Sequence, residues 1–303
     1  MSLKIFAQEA DQSLFDKLNE LNSTYYDENH PILDPIYLRW IYLDNPAGRA
    51  TLILVEQDEI YIGVLALIPI MLINQGKHQN ACFCIHVLSH PGHRNKRLFL
   101  KMINFTKKHL EENGIWLLGH PNKNAIRGWR KQKMQFKPSL LAHLSKFRWP
   151  FTPYKVTKVT SITELEELPN EFWNRSIKNG MVYMNDNPEF ISWRYLNAPF
   201  CDYEVSLITK DNQPVGINVT KAFKGPLRLM VHYYSNLENL SQVVRANKLT
   251  IVMVSNISGT SSSILKGCWK LPVQKHMPFF LTDWDVSQKS RDCSLLTLGV
   301  SDL

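Results

Sequence analysis

The chain has 303 residues, 44% of them hydrophobic and 20% charged, with 16 Pro and 13 Gly. That composition supplies a core, and it excludes wholesale disorder, collagen and a long coiled coil. At roughly 150 residues per domain it allows one large domain or two medium ones. Lys and Arg number 35 against 27 Asp and Glu, a net charge of +8. Such a balance suits solubility alone or an anionic partner: nucleic acid, an anionic membrane face or a phosphate-bearing small molecule.

The first residues, MSLKIFAQEADQ, carry charges where a secretory leader has its apolar stretch. The longest uncharged apolar run, Ile60–Asn74, contains Pro69 and is shorter than the roughly 18 to 20 residues of a membrane helix. Both features predict a cytoplasmic protein with no membrane span. Cys82 and Cys84 stand two apart in a strand-like run, which reads as buried reduced thiols. His86, His90 and His93 have mixed spacing across a strand end and a loop, so no metal site is expected. No zinc-finger pattern, RNP motif or long basic amphipathic helix selects a nucleic acid.

Along the chain, Pro35 opens a short helix through Leu43, and Pro46 ends it. A strand Thr51–Glu56, a polar turn Gln57-Asp58-Glu59 and a strand Ile60–Ile68 predict an antiparallel hairpin. A strand Cys82–Leu88 and a turn Ser89–His93 follow. The basic segment Arg94-Asn95-Lys96-Arg97 then enters a helix with apolar Leu98, Met102, Phe105 and Leu110. Next come a strand Ile115–Gly119, the segment Pro121-Asn122-Lys123-Asn124, a basic helix through Lys133 and a last strand Leu140–Phe147. Trp149–Pro153 reads as a joint.

The second half repeats the first. Pro188, Trp193, Tyr195, Leu196 and Pro199 stand 153 residues after Pro35, Trp40, Tyr42, Leu43 and Pro46. The same offset pairs Asp58 with Asp211 and Gly63 with Gly216, and it keeps Leu52/Val205, Val55/Ile208, Ile62/Val215 and Val64/Ile217 in register. Strands are expected at Glu204–Ile208, Val215–Thr220, Leu227–Tyr234, Leu249–Val254 and Met277–Thr282, with helices to about Ala246 and Lys266. Trp40 and Trp193 read as core residues. The copies differ where the first has its basic loop and the second has Asn236–Leu240. The halves 1–150 and 151–303 are thus expected to be two related domains.

Three stretches of the first copy resemble a known family. Val87-Leu88-Ser-His90-Pro-Gly-His-Arg94-Asn-Lys-Arg97-Leu98-Phe99 is similar to the strand–loop–helix signature of the GNAT acyl-CoA N-acetyltransferases. Gly119-His120-Pro-Asn122-Lys-Asn124 is similar to the family's G-F-P-N-x-x-S element, and the W-x-Y segment at Trp40 fits as well. The order of elements resembles the tandem form. The resemblance implies an α/β (α+β) fold of two tandem GNAT-like domains, each a mixed, mostly antiparallel twisted sheet flanked by helices.

It further implies transfer of an acyl group from acetyl-CoA to a primary amine of a small molecule, an amino sugar being one candidate, by direct attack. Cofactor contacts are expected at Val87, Leu88, Arg94, Asn95, Lys96, Arg97, Leu98, Asn122 and Asn124, in a loop that enters a helix N-terminus as an anion site does. The base is expected at His86 or His120, with Tyr42 or Tyr26 as substitutes. His86 is expected to share a strand face with Cys82, Cys84 and Leu88. Asn122 and Asn124 bind CoA or cap the following helix.

The sequence departs from the family in two places. Arg97 stands where the family has Gly, either swung outward to a phosphate or filling the pocket. Ala125-Ile126 stands where Ser-Tyr is frequent, so a Tyr acid is missing there. The second copy reads as a degenerate domain that lines the acceptor cleft without binding CoA. The alternatives are an inert CoA-binding or interaction protein and a Fem-type aminoacyltransferase.

Overall fold

The computed structural model describes residues 3–134, 136, 140–145, 153–174, 182–235, 243, 246, 250–255, 268–270, 280–282 and 293–295, with backbone alone at 94–96, 140–145, 250–255, 268–270 and 293–295. The strands are β1 (Leu3–Glu9), β2 (Thr51–Gln57), β3 (Ile60–Asn74), β4 (Lys77–Ser89), β5 (Trp116–Gly119), β6 (Leu140–Ser145), β7 (Tyr154–Val159), β8 (Val182–Met184), β9 (Tyr203–Lys210), β10 (Gln213–Lys224), β11 (Leu227–Ser235), β12 (Thr250–Ser255), β13 (Cys268–Lys270), β14 (Phe280–Thr282) and β15 (Cys293–Leu295). The helices are α1 (Phe15–Asn22), α2 (Pro35–Tyr42), α3 (Leu98–Glu112), α4 (Lys123–Lys131), α5 (Thr163–Glu166), α6 (Asn170–Trp173) and α7 (Pro188–Ile191).

The chain forms two compact units. The first comprises residues 1–72, 78–136 and 278–289. Its strands run in the order β1-β2-β3-β4-β5-β14. β1/β2 and β2/β3 are antiparallel, β4/β5 is parallel, and β14 closes antiparallel on β5. Helix α3 places Leu98, Met102, Ile103 and Leu110 along one stripe, and all four are buried against Ile53, Val55, Leu65, Leu67 and Leu117. Each such side chain contributes roughly 1.5–3 kcal/mol when removed from water. Trp129 of α4 and Phe280 of β14 complete this core, with ring centroids 4.7 Å apart.

The second unit comprises residues 73–77, 137–277 and 290–303. Its sheet runs β13-β6-β12-β11-β10-β9-β7, with β11/β12 parallel and the other pairs antiparallel. Each unit therefore has the mixed, mostly antiparallel sheet expected from sequence.

The repeat is visible in the backbone. Asp58 and Glu59 take φ of +52° and +66° in the β2–β3 turn, and Asp211 and Asn212 take +49° and +63° in the β9–β10 turn. Both are two-residue turns with positive φ at each position, the geometry that suits strand twist. Trp40 and Trp193 are buried, as core residues. The copies differ in the helix after the shared Pro. α2 runs to Tyr42, whereas α7 gives way at Ser192–Leu196 to a wider π turn, with the Asn197 N–H donating to Ser192 O.

The halves 1–150 and 151–303 do not match the two units in full. β6, expected as the last strand of the first domain, pairs with β12 and β13 of the second unit. β14, expected in the second domain, pairs with β5 of the first, with Phe280 opposite Gly119. Periodicity marks a short segment as a strand, but its partner is set by long-range pairing that periodicity does not encode. The expected helices near 240–246 and 258–266, the segment 236–240 and the joint 149–152 lie wholly or largely outside the described residues.

Candidate active site

The parallel pairing of β4 with β5 runs from Ala81/Trp116 to Cys84/Gly119. β5 ends there, while β4 continues to Ser89. Residues 85–89 thus extend past the strand on that side.

His86 has φ of +47°, a left-handed conformation inside a strand. This kink corrects the expected strand face. Cys82, Cys84 and Val87 pack with the core beneath α3, and His86 does not belong to that core. Alternation would have put His86 with Cys82 and Cys84, but the left-handed residue breaks the period of two and turns the imidazole toward α2.

Helix α2 begins where Asp34 Oδ1 accepts the Ile36 N–H at 2.7 Å, with Pro35 at its first position. It presents two phenols to the imidazole. Tyr42 Oη lies 2.9 Å from His86 Nδ1, and Tyr37 Oη lies 3.3 Å from His86 Nε2. Tyr42 is buried, whereas Tyr37 and His86 keep partial exposure. Burial, with a smaller effect of His30, pushes the His86 imidazole down to about 3, so it is neutral at pH 7. Burial first, then Tyr37 and Tyr26, hold Tyr42 well above its usual range. Tyr26 stacks on His30 with centroids 4.3 Å apart, and burial raises it too. Cys82 is pushed up to about 12 and Cys84 further, both chiefly by burial, which leaves inert thiols.

After β4 the chain folds into a 3-10 segment, Pro91–Lys96. His90 anchors it: its N–H donates to Ile62 O at 2.9 Å, and its Nδ1 accepts the Gly92 N–H at 3.1 Å. Arg97 follows with φ of +53° and an exposed side chain. Gly would hold this left-handed backbone without the strain that a Cβ brings. Helix α3 starts at Leu98 with no side-chain cap, so its first N–H groups point out of the helix end. The Leu98 side chain is committed to the core. The side chains of Arg94, Asn95 and Lys96 lie outside the described residues.

Asn122 caps α4. Its Oδ1 accepts the N–H groups of Asn124 and Ala125, each at 3.0 Å, so that oxygen is engaged in the helix. Asn124 is exposed. His120 rests beside Phe83, with ring centroids 6.0 Å apart. The structure thus brings His86 and Tyr42 together and adds Tyr37, which the sequence reading passed over. Its signal was its place five residues before Tyr42 on the same short helix.

Among the described residues, no group of three or more His, Cys, Asp and Glu side chains is placed to hold a metal ion, and no helix is long and apolar enough to cross a membrane.

No protein-family model matches the chain, and no curated protein matches its sequence. Solved structures do. A GCN5-related N-acetyltransferase from Anabaena variabilis matches at 14% identity and a TM-score of 0.60, over 92% of this chain and 72% of that one. N-myristoyltransferase from Saccharomyces cerevisiae, with bound myristoyl-CoA, matches at 10% identity and 0.55, over 98% and 90%. A tandem GNAT protein from the clavulanic acid biosynthesis pathway matches at 11% identity and 0.52, over 93% and 98%. The chain has the fold of the GNAT N-acetyltransferases that it matches.

Proposed function

We propose that the protein is an acyl-CoA-dependent N-acyltransferase that moves an acetyl group to the primary amine of a small molecule, an amino sugar being the first candidate. The observation that carries this reading is the junction of β4 and α3. β4 runs past the end of β5, and a basic loop then delivers the chain to an uncapped helix N-terminus. The stretch of β4 beyond the end of β5 suits the two amides of a pantetheine arm. The loop and helix end suit a pyrophosphate, with Arg94, Lys96 and Arg97 supplying charge.

In this reading the thioester lies beside Val87 and Leu88, and the Leu88 N–H stabilises the developing oxyanion. The amine forms the new C–N bond as the C–S bond breaks and its electron pair leaves with sulfur. One proton must leave nitrogen and one must reach the thiolate. The neutral His86 with Tyr42 and Tyr37 is the proton-handling group that the geometry supports; His120 is the second candidate.

Acetyl-CoA should raise the melting temperature of the wild type by binding its native state. Arg94→Ala should weaken that shift, and Lys221→Ala in the second unit should leave it unchanged. No shift at millimolar acetyl-CoA refutes the reading. Equal effects of the two substitutions refute the placement of the cofactor. Release of CoA is then followed with glucosamine and a panel of primary amines.

A further inference from the structure

The His86 site has a relative inside the same chain. β4 and β11 both end in Ser, Ser89 and Ser235, and a His stands three residues before each end. His232 is therefore the counterpart of His86. Tyr195 is the counterpart of Tyr42, and its ring lies 5.2 Å from that of His232. The parallel pairing of β11 with β12 stops at Met230, two residues before His232, as that of β4 stops at Cys84, two before His86. The copies differ at the third member. The residue 153 after Tyr37 is Phe190, whose ring faces His232 at 6.4 Å where Tyr37 faces His86 at 5.8 Å. The Nε2 of His232 instead lies 3.7 Å from Asp186 Oδ1.

Burial fixes which way the protons run. A neutral imidazole has one N–H and one bare nitrogen. Tyr42 Oη is buried, and His86 Nδ1 is its neighbour at 2.9 Å. A buried hydroxyl left without an acceptor is costly, so Tyr42 donates to Nδ1. The proton then sits on Nε2, and Nε2–H donates to Tyr37 Oη.

We propose that Tyr37 is the acid–base residue of the first unit, held and polarised by the His86–Tyr42 pair. It is the phenol of the three-residue chain that keeps exposure, so a bound acceptor can reach it. Its O–H proton goes to the departing thiolate as the C–S bond breaks. The Nε2–H of His86 stabilises the negative charge left on Tyr37 Oη. The same oxygen then takes the proton from the nitrogen that has formed the C–N bond. The amine proton ends on the thiol, and Tyr37 is restored. This assigns to α2 the acid absent at Ile126. It rests on the acyltransferase reading above.

The test joins kinetics to a measurement that needs no turnover. Tyr37→Phe makes the first copy resemble the second. With acetyl-CoA and glucosamine, or the amine from the panel that turns over, it should lower kcat about 100-fold. The acceptor KM should stay within threefold, and the acetyl-CoA thermal shift should not change. In 15N-histidine spectra of the wild type, His86 should be the Nε2–H tautomer. A kcat within threefold of wild type, or an Nδ1–H tautomer, overturns the assignment. If the wild type turns over no amine, the acyltransferase reading fails, and the Tyr37 assignment as a catalytic group fails with it. The tautomer then reports separately whether the hydrogen-bonded chain itself is as described.

Discussion

His86 should make the first unit sensitive to mild acid. Its imidazole is held near 3 in the fold, against 6.5 in a free chain. The depressed value means that the neutral form belongs to the native state. Its stabilising contribution is complete above about pH 6.5 and is lost as pH falls toward 3. Between those values the unfolded chain binds the extra proton, so stability rises with pH. At pH 4.5 the gap amounts to about two pKa units, or roughly 2–3 kcal/mol relative to pH 7. Tyr26, Tyr42 and Cys84 are all raised, away from this window. His86→Gln keeps a neutral polar side chain and removes the titration. Urea unfolding at pH 7.0 and 4.5 should show the wild type losing about 2–3 kcal/mol more than the variant. At roughly 2–4 °C per kcal/mol, the melting temperatures should diverge by about 5–10 °C. Parallel losses in the two proteins would refute the account of His86 as a desolvated neutral base.

Three further substitutions test the local physics. Arg97→Gly should stabilise by about 0.5 kcal/mol, because relief of the left-handed strain exceeds the entropy that Gly adds to the unfolded chain; a loss in urea unfolding would contradict the strain. Gly128→Ala should destabilise by about 1–2 kcal/mol despite its better helix propensity, since a Cβ there would clash with the Phe99 ring. In a Phe99→Leu background the same change should become favourable, which a double-mutant cycle reads directly. Replacing Asp58-Glu59 by Asn-Gly should raise stability by about 1 kcal/mol, because both residues hold positive φ in a two-residue turn; an unchanged urea midpoint would refute this.

The hairpins were legible in the sequence because a constant offset of 153 carries Trp, Tyr, Pro and Gly along with strand periodicity. The His86/His232 correspondence was hidden by a change of offset. β3 and β4 have 15 and 13 residues, while β10 and β11 have 12 and 9. The second hairpin is therefore seven residues shorter, and the two histidines stand 146 apart instead of 153. The bend at His86 was hidden too, since a left-handed residue in a strand is announced by Gly and seldom by His. Arg97 shows the converse case. Sequence marked it as a departure from Gly, and only the backbone shows that the position needs positive φ. The crossing of β6 and β14 between units left no local trace, because short strands take their partners from long-range packing.

The second unit shows what became of the same frame without its outer phenol. Asp186 stands two residues before Pro188, as Leu33 stands two before Pro35, so a carboxylate has taken an apolar place. Asp186 and His232 are both almost wholly buried. Arg194, also buried, lies over the rings of both Tyr195 and Tyr203, with centroids 5.4 and 5.5 Å from its guanidinium carbon. Three ionisable groups enclosed in this way serve the core, since none is open to a substrate. Taking the partner from a buried polar group costs about 1–3 kcal/mol. Asp186→Asn, which keeps the shape and replaces the carboxyl oxygen beside His232, should therefore cost about 1–3 kcal/mol in urea unfolding. The acetyl-CoA thermal shift should be preserved. A loss below about 1 kcal/mol would show that the carboxylate is not what holds His232. A lost acetyl-CoA shift in a folded variant would place the cofactor's support in the copy that lacks the basic loop, against the division of labour argued from Tyr37 and Phe190.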